Sequence, residues 1–136
     1  PWGPIQMECE AHYLVVEGEV PADLCGSLYR VGPNQRFKPR GDYHLFMGDG
    51  MVHAFHIKGG KVNYNNRWVR TNKWKLEDRE ERALINPMNP FDCDPQYTDF
   101  VFTDKDGTAN TATTAHRARR LPANDACVRL NLTPSP

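Results

Sequence analysis

Residues 43–71 read Tyr43-His44-Leu45-Phe46-Met47-Gly48-Asp49-Gly50-Met51-Val52-His53-Ala54-Phe55-His56-Ile57-Lys58-Gly59-Gly60-Lys61-Val62-Asn63-Tyr64-Asn65-Asn66-Arg67-Trp68-Val69-Arg70-Thr71. Three extended runs lie in this stretch, Tyr43–Met47, Met51–Lys58 and Lys61–Thr71, divided by Gly48-Asp49-Gly50 and by Gly59-Gly60. A two-residue Gly-Gly connection is what a type I′ hairpin turn requires, because both central residues take positive φ. Centring the second turn on Gly59-Gly60 sets Ile57 opposite Val62, Phe55 opposite Tyr64 and His53 opposite Asn66. Centring the first on Asp49 sets Leu45 opposite His53 and Tyr43 opposite Phe55. One face of the expected meander then gathers Tyr43, Leu45, Met47, Phe55, Ile57, Val62, Tyr64 and Trp68. The other carries His44, His56, Asn63, Asn65 and Arg67, with Phe46, Val52 and Ala54 among them. Turn chemistry and side-chain alternation agree, which supports an all-β reading.

Upstream, His12–Val20 is β-rich and Pro21-Ala22-Asp23 turns the chain. A short strand is predicted for Ser27–Val31, stopped by Gly32-Pro33-Asn34. Residues 35–41 are polar and read as loop. Downstream, the charged stretch Trp74–Leu84 is predicted as a short helix or an exposed strand extension. Asn86–Pro95 holds three prolines and reads as loop. A further strand is expected over Tyr97–Thr103, then a turn at Asp104–Gly107. From Thr111 onward neither helical nor strand period holds, and large apolar residues become scarce. The chain therefore divides into a domain over residues 1–111 and a poorly packed tail over 112–136.

Composition narrows the partners. Seventeen basic and seventeen acidic residues cancel, so there is no whole-chain field for nucleic acid or an anionic membrane. The basic cluster His116, Arg117, Arg119 and Arg120 reads as a solvated tail. No apolar run reaches the length of a membrane span, and the first residues lack the pattern of a signal peptide. The chain opens without Met, so residues upstream are expected. Cys9, Cys25, Cys93 and Cys127 are scattered without paired spacing and read as free thiols of a reducing compartment, hence a cytoplasmic location. Eleven prolines and ten glycines favour many turns over long helices.

The five histidines, His12, His44, His53, His56 and His116, are the first candidates for a metal site. His53 and His56 form an HxxH pair, but residues three apart on a strand point to opposite sides. His53 is expected as a hydrogen-bonded histidine on the apolar face. His44 and His56 fall on one face as diagonal neighbours of the expected first hairpin, close enough for long side chains to meet. Two imidazoles without a carboxylate make a poor site. Asp49, flanked by glycines, reads as a turn cap through its own backbone. No phosphate-binding loop, dinucleotide fingerprint or nucleophile elbow is present.

The wording of four blocks is more specific. Gly26-Ser27-Leu28-Tyr29-Arg30-Val31-Gly32-Pro33-Asn34 is similar to the G-x-L-Y-R-x-G-P-N opening of the carotenoid cleavage oxygenases. Asp42-Tyr43-His44-Leu45-Phe46 followed by Gly48-Asp49-Gly50-Met51-Val52-His53-Ala54 resembles that family's H-x-F-x-G-D-G-M-V-H block. Tyr64-Asn65-Asn66-Arg67-Trp68-Val69-Arg70-Thr71 resembles its Y-x-N-R-x-V-R-T strand, and Gly107-Thr108-Ala109-Asn110-Thr111 its G-x-A-N-T element. The wording is nearest to the bacterial and fungal branch that includes lignostilbene dioxygenases. Beyond Thr111, Ala115 stands where the family carries Trp before His116.

The resemblance implies a seven-bladed β-propeller with Fe(II) on its axis, held by four histidines, under a dome that forms an apolar substrate tunnel. It implies cleavage of a carbon–carbon double bond of carotenoids, apocarotenoids or stilbene-type phenolics with O2. Imidazole ligands suit iron, and open coordination positions suit O2. The family's first iron histidine sits in an H-P-K-x-D-P motif, which this chain does not contain. Residue by residue, the resemblance thus carries over no catalytic, cofactor-binding or metal residue. The expectation is an amino-terminal piece of one to two blades, with no Fe(II) of its own, inactive alone. With open strand edges and uncovered apolar faces, it is expected to self-associate. Two other readings are a non-catalytic remnant or β-sheet binding module, and a small metal protein using His44 and His56.

Overall fold

The computed structural model describes residues 3–89, 91–103 and 108–111. Its centre is a four-stranded antiparallel sheet of β1 (Glu10–Ala11), β2 (Gly26–Pro33), β3 (Gly50–Lys58) and β4 (Lys61–Trp68), ordered β1-β4-β3-β2. Helix α1 (Asn72–Glu80) follows β4 directly, and a short helix α2 (Thr98–Thr103) comes later. Among the described residues no helix is long and apolar enough to cross a membrane.

The β3–β4 hairpin follows its turn. Gly59 and Gly60 take φ of 56° and 73°, and the register places Ile57 on Val62, Phe55 on Tyr64 and His53 on Asn66. These are the pairs that the Gly-Gly connection predicts.

The other partner of β3 differs from expectation. Tyr43–Met47 is not a strand; Leu45–Met47 makes a single 3₁₀ turn. His44 stops extension there, since its Nδ1 accepts the Phe46 N–H at 3.2 Å and its carbonyl accepts the Met47 N–H at 2.8 Å. In its place β2 lies along the whole of β3, with Leu28 on Phe55 and Arg30 on His53. Gly48-Asp49-Gly50 is therefore the closing end of a wide loop over 34–49, sealed by the Asn34 N–H on the Asp49 carbonyl at 2.7 Å. β2 wins because it offers eight residues of unbroken backbone against nine in β3, and each unpaired backbone group in a buried sheet is costly.

Burial also departs from the expected two faces. Phe55, Ile57, Val62 and Tyr64 are only half-buried, while Val52 and Ala54, on the supposedly polar face, are buried. Tyr43 and Leu45, off the sheet, are exposed. The core sits at one end, where Met51 and Trp68 pair across the hairpin and Trp74 of α1 packs on them, the two indoles 6.3 Å apart.

Two further expectations change, and one open choice is decided. His12–Val20 contributes no strand: ladder pairing covers Glu10 and Ala11 alone, because Tyr13 adopts a left-handed φ of 55° and breaks the ladder, leaving the Leu14 N–H on the Val62 carbonyl at 2.8 Å as an isolated tie to β4. Trp74–Leu84 takes the helical one of its two expected forms: α1 starts at Asn72, capped by the Thr71 hydroxyl, which accepts the Trp74 N–H at 3.1 Å, and its charged residues are partly internal. Tyr97–Thr103 is helical. Asp94 accepts the Gln96 N–H at 3.1 Å and Pro95 pre-sets φ, so a helical start outweighs the β-propensity of the aromatic residues that follow. The described residues 86–89 and 91–94 are loop as read, held by Asn86 and Asn89 side chains accepting the Met88 and Phe91 N–H groups, while Pro95 opens a 3₁₀ turn. The Asp104–Gly107 turn, the 112–136 tail, the His116–Arg120 cluster and Cys127 lie outside the described residues.

Candidate functional site

Gly48-Asp49-Gly50 is where the distant parts of the chain meet. The Gly50 N–H donates to the Thr108 carbonyl at 2.9 Å and the Gly50 carbonyl accepts the Val69 N–H at 2.8 Å. The Asn110 side-chain amide donates to the carbonyls of Gly48 and Phe46 at 2.6 and 2.7 Å. Both glycines are required by crowding and not by positive φ. A Cβ on Gly50 would run into the Ala109 carbonyl, and one on Gly48 would stand 2.9 Å from the Asn34 nitrogen.

Asp49 corrects the sequence reading. It does not cap its own turn; its Oδ1 accepts from Lys73 Nζ at 2.8 Å, and the same ammonium donates to Glu77 Oε2 at 2.7 Å. The other Glu77 oxygen accepts the Leu84 and Ile85 N–H groups at 2.9 and 3.1 Å. All three side chains are at most 10% exposed. Burial alone disfavours the ammonium and lowers its pKa. The two carboxylates outweigh that penalty and hold the Lys73 pKa above the ordinary lysine value. The triad ties α1 to the loop, and the Arg36–Asp78 ion pair at 3.0 Å does so again nearer the surface. The Lys-x-x-x-Glu spacing of Lys73 and Glu77 was a readable signal. Their partner, 24 positions upstream of Lys73, was not.

A second polar anchor is Asn66, 1% exposed, whose side chain accepts the Cys9 N–H at 2.7 Å and donates to the Met7 carbonyl at 3.0 Å. Beside it, Glu8 accepts the Trp68 N–H at 2.7 Å and pairs with Arg70 at 2.8 Å. The bond from Arg70, set against a desolvation penalty, keeps the Glu8 carboxyl below its usual range. The amino-terminal segment is thus laced along β4 by side chains where the ladder itself is short.

The histidines are dispersed. His12 lies 3.6 Å from Glu10 on the surface. His44 caps its 3₁₀ turn, and His56 shares a 2.7 Å hydrogen bond with Ser27. The predicted His44–His56 diagonal does not exist, because His44 is not on a strand. His53 is a hydrogen-bonded sheet histidine, 2.8 Å from the Tyr64 hydroxyl, and half-buried. Its pKa is lowered by desolvation and then by the Arg30 charge. Among the described residues, no three His, Cys, Asp or Glu side chains converge as a metal site. Cys9 and Cys25 are exposed free thiols and Cys93 a buried one.

A family model described as retinal pigment epithelial membrane protein matches residues 2–135. The chain belongs to that family, the carotenoid cleavage dioxygenases. It is 36% identical over 118 residues to lignostilbene-alpha,beta-dioxygenase isozyme III of Sphingomonas paucimobilis, covering 85% of this chain and 23% of the relative. It is 31% identical over 133 residues to isoeugenol monooxygenase of Pseudomonas putida, covering 96% of this chain and 27% of that enzyme. The crystal structure of Pseudomonas brassicacearum lignostilbene dioxygenase superposes with a TM-score of 0.59 at 38% identity, over 61% of this chain and 18% of that one. The chain thus spans about a quarter of the length of these curated relatives.

For this family member the four motif blocks acquire a physical meaning. Asn34 of the first, Gly48–Gly50 of the second, Val69 of the third, and Thr108–Asn110 of the fourth all meet at one turn. The iron that the family implies finds no matching donor set among the described residues, whose histidines are singly engaged with Glu10, Phe46, Tyr64 and Ser27.

Proposed function

We propose that this chain is the opening sheet-and-helix portion of an Fe(II)-dependent dioxygenase that splits a carbon–carbon double bond of a stilbene-type phenolic or an apocarotenoid. The observation that carries the proposal is the convergence of four family blocks on the Gly48–Gly50 turn, in a sheet that superposes on a lignostilbene dioxygenase. In this reading the blocks are scaffold. They fix the first blade of a seven-bladed propeller, while the histidines that hold iron and the walls of the substrate tunnel come from outside the described residues. Iron, when bound in such an enzyme, supplies the chemistry of O2. What these residues supply is position, through the buried Asp49–Lys73–Glu77 triad and the Asn110 clamp.

Taken as a 136-residue polypeptide, the chain is proposed to be catalytically silent. Exposed Leu24 and Leu28, at and beside the start of β2 on the outside of the sheet, support self-association. The free thiols of Cys9, Cys25 and Cys93 among the described residues support a reducing, cytoplasmic setting.

A chimera tests the proposal. Residues 26–111 replace the matching segment of the Pseudomonas brassicacearum lignostilbene dioxygenase. The expected result is a folded, iron-loaded enzyme that still cleaves lignostilbene, and whose activity falls on Asp49→Ala. A folded chimera that loads iron and does not turn over contradicts the scaffold role.

A further inference from the structure

We draw no further inference here: the strongest candidate, the side-chain cluster in which the Asn34 and Asn66 amides both reach the sulfur of buried Met51 beneath the amino-terminal segment, fastens that segment to the sheet as part of the scaffold already described, and nothing in the structure shows a ligand that it would receive.

Discussion

Replacing Lys73 by Met keeps most of the side-chain volume and removes the charge between Asp49 and Glu77. The two carboxylates are 7% and 3% exposed, so neither can turn to water for compensation. Glu77 still accepts the Leu84 and Ile85 N–H groups at 2.9 and 3.1 Å, but among the described residues Asp49 keeps only the long Arg36 N–H contact at 3.5 Å. Most of the penalty therefore falls on Asp49. Breaking a buried pair from one side costs about 3–5 kcal/mol, a large part of the roughly 5–15 kcal/mol that holds an ordinary domain together. With a urea slope of about 2 kcal/mol per molar, the unfolding midpoint drops by about 2 M. Indole fluorescence reports it directly, because Trp74 neighbours Lys73 and lies 6.3 Å from Trp68. The double variant Lys73→Met/Asp49→Asn removes the stranded carboxylate and loses less than the sum of the single variants by about 1–3 kcal/mol. The pH dependence has a definite sign. Since the folded pKa of Lys73 is raised, its stabilisation is whole below the ordinary lysine value and is lost as pH climbs through the folded one. Lys73→Met abolishes that alkaline loss. A cost under about 1 kcal/mol for Lys73→Met, or additive single variants, would refute the view that the triad acts as a unit.

Gly50→Ala forces a methyl against the Ala109 carbonyl; the expected cost is about 1–3 kcal/mol, with faster amide exchange at Gly50, whose N–H is held by Thr108. Thr71→Ala removes a helix cap that is 2% exposed and costs about 1 kcal/mol in urea titration. His53 titrates by ring NMR below the usual histidine value of about 6.5, and Arg30→Gln moves the midpoint upward by removing the nearby charge. Because that folded pKa is lowered, the His53 contribution is present above the ordinary histidine value and declines as pH falls toward the folded one.

The hairpin of β3 and β4 was legible because the turn and the alternation are local: Gly59-Gly60 admits one close pairing, and Phe55, Ile57, Val62 and Tyr64 then have no freedom of register. The partner of β3 was not legible. Tyr43–Met47 carries as good a β pattern as Ser27–Val31, and the choice between them rests on Asn34 meeting Asp49 to close a loop, a contact no local pattern encodes. Helix α2 was written in Asp94-Pro95 and lost to the aromatic residues after it. The charges of α1 suggested solvent, yet Lys73 and Glu77 are inside because Asp49, from another part of the chain, awaits them. The family blocks were readable as words, but their common purpose needed three dimensions. Gly48, Gly50 and Asn110 matter through close backbone approach, which composition and spacing do not reveal.

The most direct test asks whether the described residues are scaffold or metal site. Purified residues 1–136 are equilibrated anaerobically with Fe(II), and bound iron is counted per chain by elemental analysis after gel filtration, for the native chain and for His44→Ala and His56→Ala. The scaffold account predicts far less than one tightly held iron per chain and no change in either variant. One iron per chain, lost when His44 or His56 is replaced, would contradict it.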